Sequence, residues 1–168
     1  ALGGVFAHTL PNQADGTLSL PDIAAGIRSS DIHEPPSRLL ILENTQNRCG
    51  GIPLTRAYTN KAAELVHSHG MKLHIDGARL FNAAAALKVP AKDLVGSADS
   101  VTFCLSKGLC APVGSVLCGD KDFIYRARRL RKMLGGGMRQ AGIIAAAGIV
   151  ALEQMTERLV EDHARAKR

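Results

Sequence analysis

The chain has 168 residues, 46% of them apolar and 21% charged, a balance that suits a packed globular domain and excludes a disordered one. Its 21 Lys and Arg outnumber 15 Asp and Glu, and the net charge of +6 admits a nucleic acid, an anionic membrane surface or an anionic cofactor without choosing among them. Four cysteines, Cys49, Cys104, Cys110 and Cys118, are too few and too irregularly spaced for a disulfide scaffold and form no CxxC zinc pair, which points to a reducing compartment.

The N-terminal text ALGGVFAHTL has neither a basic n-region nor an apolar h-region, so the expected location is cytoplasmic. Next, PNQADGTLSLPD is rich in turn formers, and Asp15-Gly16 predicts a tight turn before a short segment at Ile23 to Ile27. Leu39 to Leu42 is a continuous apolar run between Pro35-Pro36 and Glu43-Asn44, the pattern of a strand covered on both faces. Apolar residues recur at helical spacing from Thr55 to His69, and Gly70 stops the helix. A second strand is expected at Met71 to Ile75, ending at Asp76-Gly77, then an alanine-rich helix at Ala78 to Leu87. Val101 to Leu105 and Gly114 to Cys118 read as further strands. Phe123, Ala127, Leu130 and Leu134 mark the stripe of a helix, and Met138 opens a long final one. Its run Ala141 to Leu152 is shorter than the ~20 residues of a membrane span and is expected to be a buried helix. Alternation of this kind predicts an α/β layer with a mostly parallel sheet.

In open α/β sheets ligands gather beyond the carboxyl ends of the strands. Two residues qualify: Asp76, closing KLHID, and Lys107, after SVTFCLS. A carboxylate and an amine at neighbouring strand ends match what pyridoxal phosphate requires. A buried aspartate keeps the ring nitrogen protonated, and a lysine that burial keeps accessible in its neutral form carries the aldehyde. The plainer alternatives are an aspartate that caps the next helix and a lysine that is only solvated. Other clusters carry less. Arg126, Arg128, Arg129, Arg131 and Lys132 share a helix with an apolar stripe and lack interleaved aromatics, so a solvated or subunit-facing surface is expected rather than nucleic-acid binding. His67, His69 and His74 have no acidic or thiol partner at a metal-binding spacing, and no metal site is expected.

The stretches LHIDGARLFNAA (73–84), ADSVTFCLSKGLCAPVGSVLCGDKDFI (98–124) and ARRLRKMLGGGMRQAGIIAAAGIVAL (127–152) resemble the signature segments of the low-specificity L-threonine aldolases. The likeness extends less densely through SSDIHEPPSRLLILENTQNRCGG (29–51). It implies the aspartate-aminotransferase-like fold, type I among pyridoxal-phosphate enzymes, in a homodimer or homotetramer. It also implies that Lys107 forms the imine with the cofactor, that Asp76 contacts the pyridine nitrogen, and that Arg79 lies near the ring hydroxyl and the substrate carboxylate. His33, from the family's DIH segment, would stand near the substrate β-hydroxyl as the base, with an ordered water as the alternative. RKMLGGGMRQ is similar to a segment that reaches the neighbouring subunit's site, making Lys132 and Arg139 candidates for phosphate contact, with the three glycines offering backbone N–H groups to an anion.

The implied reaction is cleavage of L-threonine or L-allo-threonine to glycine and acetaldehyde. Two alternatives stay open: another type I enzyme, an aminotransferase or β-lyase, and an inactive product that serves only as a dimerisation partner. Gln46 stands where the family commonly has histidine, Glu34 where an aromatic is usual, and Pro53 is shifted. The resemblance further implies that residues 1–168 are the central part of the large domain, lacking an upstream phosphate loop and a downstream small domain. On that ground the chain alone is expected to bind cofactor poorly, to turn over little or nothing, and to expose sheet edges and helix faces.

Overall fold

The computed structural model describes residues 3–167, in which a four-stranded sheet carries helices chiefly on one face. The strands are β1 (Leu39–Glu43), β2 (Lys72–Asp76), β3 (Ser100–Cys104) and β4 (Ser115–Gly119), and their spatial order is their chain order. β1, β2 and β3 are parallel, with Glu43 opposite Asp76 and Asp76 opposite Thr102, so their carboxyl ends share one edge. β4 runs antiparallel to β3, Cys104 pairing with Ser115, and leads the chain back to the amino edge.

Helix α1 (Leu20–Gly26) encloses the segment expected at Ile23. α2 (Arg56–Ser68) starts where Thr55 accepts a hydrogen bond from the Tyr58 N–H, satisfying one of the free donors of the first turn. It packs Ala62, Ala63 and Val66 onto Leu40, Leu42, Leu73 and Ile75, which form the main core. α3 (Leu80–Leu87) and a short α4 (Ala91–Val95), which the sequence reading did not include, complete the β2-to-β3 crossover and enclose a second small core of Leu80, Ala83, Ala84 and Leu94. α5 (Lys121–Met133), capped by Asp120, follows β4.

Three expectations are corrected. β1 is covered on one face only: Leu40 and Leu42 are buried, whereas Leu39 is half-exposed and Ile41 is 56% exposed, because strand residues alternate between faces. The final helix is not continuous. Gln140 takes a left-handed conformation ahead of α6 (Gly142–Val150), a wider π turn occupies Ala151–Met155, and α7 (Leu159–Ala166) follows. Nor is the apolar run buried: Ile143 is 87% exposed, Ile149 and Val150 about half so, and Gly148 alone in α6 is enclosed.

Candidate functional site

The carboxyl edge of β1 to β3 is knitted together by backbone and by one asparagine. The Asn44 N–H donates to the Asp76 carbonyl at 2.8 Å, and the Arg79 N–H reaches the Asn44 carbonyl at 3.4 Å. The Asn44 side chain, almost fully buried, donates to the Leu54 carbonyl and accepts from the Leu54 N–H. Residues 43–54 are thereby fixed against the end of β2. In the sequence Asn44 marked only the end of a strand. The signal for its role was its position, a polar residue directly after a buried run, the same signal that selected Asp76.

Gly77 joins β2 to β3. Its N–H donates to the Thr102 carbonyl at 2.7 Å, and an added Cβ would lie 2.7 Å from that oxygen, closer than such atoms approach. Only a residue without a side chain permits the contact. Asp76 therefore leaves the sheet at a fixed angle. Its Oδ1 accepts from the Ala78 N–H at 3.2 Å, an Asx turn, and among the described residues its Oδ2 has no hydrogen-bond partner. The helix-cap alternative fails: the N-cap of α3 is Arg79, which makes no side-chain cap bond. The carboxylate is exposed, where burial was expected.

Lys107 lies in the loop from β3 to β4, at the same edge. The loop is closed at its base by Leu105 N–H to Gly114 carbonyl (2.9 Å), and within it by Ala111 N–H to Leu105 carbonyl and Cys110 N–H to Lys107 carbonyl. Leu109 and Ala111 are buried against Ala151 and Leu159, and Gly108 sits flush with Leu159 and Asn82. The lysine side chain is exposed, again where burial was expected, and among the described residues no carboxylate stands within ion-pair range of it. Arg79 is partly buried, and its Nη1 is enclosed without an acceptor. A buried guanidinium donor left unpaired is costly and fits an anionic group of a bound molecule.

The structure brings Asp76, Arg79 and Lys107 to one edge, but not His33. Leu18, bonded to the Tyr58 hydroxyl beside the start of α2, belongs to the carboxyl edge. From there α1 runs alongside α2 to the amino edge, where Arg28 N–H is held by Ser37 and β1 begins. His33 falls in this amino-edge loop. It is 84% exposed and bonded to Asp31 at 2.8 Å, and its backbone N–H and ring together hold the Asp31 carboxyl below the usual range. The sequence places His33 only six residues before β1, which gives no sign of the edge to which it belongs.

Lys132 and Arg139 are exposed, and no hydrogen bond or ion pair among the described residues ties them to the edge cluster. The triple glycine does not precede a helix as an anion cradle. Gly135 N–H donates to the Lys132 carbonyl and Gly136 N–H to the Arg131 carbonyl, so two of the expected free donors close the end of α5. Gln46 is almost fully buried, its side chain joining Asn12 and the Cys49 N–H, so it secures the loop after β1. Two surface grooves flank this region: one of about 600 Å³ between α2 and α4, and another of about 390 Å³ at the carboxyl edge, around Leu18, Leu54 and Tyr58, lined by none of Asp76, Arg79 and Lys107.

The profile of the beta-eliminating lyase family matches residues 1–168. The chain belongs to the beta-eliminating lyase family. Within it, the chain is 52% identical over 168 residues to Low-specificity L-threonine aldolase 1 of Arabidopsis thaliana, covering 99% of this chain and 47% of that protein. It is 49% identical over 162 residues to the low specificity L-threonine aldolase of Escherichia coli K12, covering 96% and 48%. This member of the family thus spans about half the length of the curated relatives it matches. A Listeria monocytogenes crystal structure provisionally designated an L-allo-threonine aldolase superposes with a TM-score of 0.81 at 25% identity, over 95% of this chain and 42% of that one. The Leishmania major threonine aldolase superposes at 0.75 and 20% identity, over 92% and 46%. The fold is that of the aspartate-aminotransferase-like, type I enzymes, as the resemblance implied. No helix among the described residues is long and apolar enough to cross a membrane.

Proposed function

We propose that this chain carries the cofactor-gripping edge of a low-specificity threonine aldolase that cleaves L-threonine or L-allo-threonine to glycine and acetaldehyde. The observation that carries the proposal is the placement of Asp76 at, and Lys107 just beyond, the carboxyl ends of adjacent parallel strands, in a chain about half identical to aldolases of that name.

The residues fit pyridoxal phosphate. Bound there, the cofactor supplies an electron-poor ring that accepts the electrons of the bond broken at the substrate Cα. The Oδ2 of Asp76, free of other partners, is suited to hold a protonated ring nitrogen by charge. The Lys107 amine, on a loop stitched to the sheet and without a competing carboxylate, is placed to carry the aldehyde. Arg79, with its enclosed unpaired Nη1, takes the anionic oxygen of ring or substrate. Asn44 holds Asp76 and Arg79 in register. His33 receives no role in this assignment. Lys132 and Arg139 remain candidates for a phosphate only across an interface with a second copy, in the homodimer or homotetramer that the resemblance implies. The cytoplasm is the proposed location.

The test is product analysis with threonine and added pyridoxal phosphate, carried out on the intact enzyme rather than on residues 1–168 alone. Glycine and acetaldehyde appear in equal amounts, Lys107→Ala loses the activity, and Asp76→Asn loses at least about a hundredfold. Formation of a keto acid in place of glycine would overturn the aldolase reading, and full activity in Lys107→Ala would overturn the site.

A further inference from the structure

The sheet face that bears Asp76 also bears a histidine that the reaction above does not use. Strand residues two apart share a face, so His74 and Asp76 project side by side from β2, with Ser100 and Thr102 beside them on β3 and Ile41 and Glu43 on β1. His74 is half-buried and spans two hydroxyls. Its Nδ1 lies 2.8 Å from Ser100 Oγ, and its Nε2 lies 3.4 Å from Thr102 Oγ1. A hydroxyl can donate or accept, so both ring nitrogens are served in the neutral state whichever carries the proton. Burial pushes the ring's pKa down, only partly opposed by the Asp76 charge. The charged groups on this face are Asp76 and Glu43 at the carboxyl end and Lys72 at the amino end, with the Cys104 thiol beyond Thr102. Ser100 and Thr102 cannot take up the charge of an imidazolium.

We propose that His74 is a positioning residue for Asp76: clamped between Ser100 and Thr102, it fills the space beside the carboxylate with a neutral ring and leaves that charge undivided for the cofactor. The inference rests on the function proposed above. A cation at position 74 competes for Asp76 within the sheet face and lowers the carboxylate's hold on a protonated ring nitrogen. The family resemblance assigned no part to this histidine, and in the sequence it stood only beside His67 and His69 as one of a set without metal-binding spacing.

The experiment measures affinity for pyridoxal phosphate across pH, together with the visible absorption of the bound cofactor, in the intact enzyme as wild type, His74→Gln, His74→Lys and Asp76→Asn. Wild type loses affinity on acidification as His74 charges. His74→Gln keeps a neutral hydrogen-bonding side chain, binds like wild type near neutrality and lacks that acid limb. His74→Lys binds about tenfold more weakly and shows the spectral change of Asp76→Asn. An acid limb unchanged in His74→Gln overturns the inference, as does His74→Lys binding and absorbing like wild type. A histidine that only packs the sheet would alter the melting temperature without moving either readout. If wild type and Asp76→Asn bind the cofactor equally, or neither binds, the function proposal itself falls and this inference with it. If Asp76→Asn alone is impaired, only the inference falls.

Discussion

Residues 39–104 and residues 115–150 each combine strand with helix, yet they differ sharply in what they bury. In the first region β1, β2, α2, α3 and α4 enclose Leu40, Leu42, Leu73, Ile75, Val66 and Leu94 between sheet and helices. In the second, β4 and α5 bury no residue fully, and the apolar side chains of Leu130, Met133, Leu134, Ile143 and Ile149 are turned outward. The difference teaches where the rigidity of the candidate site comes from. Asp76 and Arg79 hang from the closed core, whereas Lys107 sits at the boundary and borrows its anchorage from Leu109, Ala111, Ala151 and Leu159.

The sharpest way to break this comparison is to truncate one large side chain in each region. Leu73 is fully buried at the centre of the main core, and Leu73→Ala is expected to cost about 3 kcal/mol through lost burial and a residual cavity. Leu130 on α5 is 56% exposed, and Leu130→Ala is expected to stay within about 0.5 kcal/mol. Denaturant midpoints at constant slope give both values. Equal losses would mean that α5 is packed in solution against something that only an interface can supply.

Gly77→Ala probes the seam between core and site. The added methyl meets the Thr102 carbonyl and Leu80 Cβ, and the crowding is expected to cost about 2 kcal/mol. Its second signature is local: weakened cofactor binding, because the Asp76 end of β2 must shift. A variant as stable as its parent would show that the contact between Gly77 and β3 is loose.

A smaller effect is expected at the opposite edge, where Asp99 gathers Lys72 Nζ (2.7 Å), His67 Nε2 (2.8 Å) and the Leu73 N–H (2.8 Å). Burial raises the Asp99 carboxyl, but these three donors outweigh it and bring the pKa to about 2, against 3.8 for an ordinary aspartate. A carboxyl whose folded pKa lies below its unfolded value stabilises the fold above the unfolded value. That stability is present above about pH 4 and is lost as the pH falls toward 2. Solvent screening of a surface cluster leaves on the order of 1 kcal/mol. Unfolding measured from pH 5 to pH 2 in wild type and Asp99→Asn should converge at the acid end. Parallel curves would contradict the assignment.

How far the sequence could be read follows the same division. β2, α2 and β3 were legible because their patterns report burial directly, and Thr55 and Gly70 punctuate α2 by local chemistry. Asp76 and Lys107 were legible as polar residues after buried strands. Less legible was whatever depends on contacts distant in sequence. The run at Leu39 to Leu42 looks two-sided because composition cannot tell which face finds a partner. Ala141 to Leu152 looks buried for the same reason, and the break ahead of α6 turns on the single backbone conformation of Gln140. The triple glycine misled differently: the residue type that frees an N–H for an anion also suits the cap of a preceding helix. The edge to which His33 belongs is a property of topology, invisible in the short DIH text.

The reversal at β4 has a mechanical consequence for Lys107. Because β3 and β4 are joined by five antiparallel pairs, the lysine's loop is fastened at both ends to adjoining rungs of one ladder. Pushing on the far end of such a ladder shears every rung together; it does not let the bridge at the top swing like a flap. Any freedom of this amine to approach or leave a partner therefore resides in its own four methylenes, and conformational change elsewhere reaches it as a displacement of the whole edge.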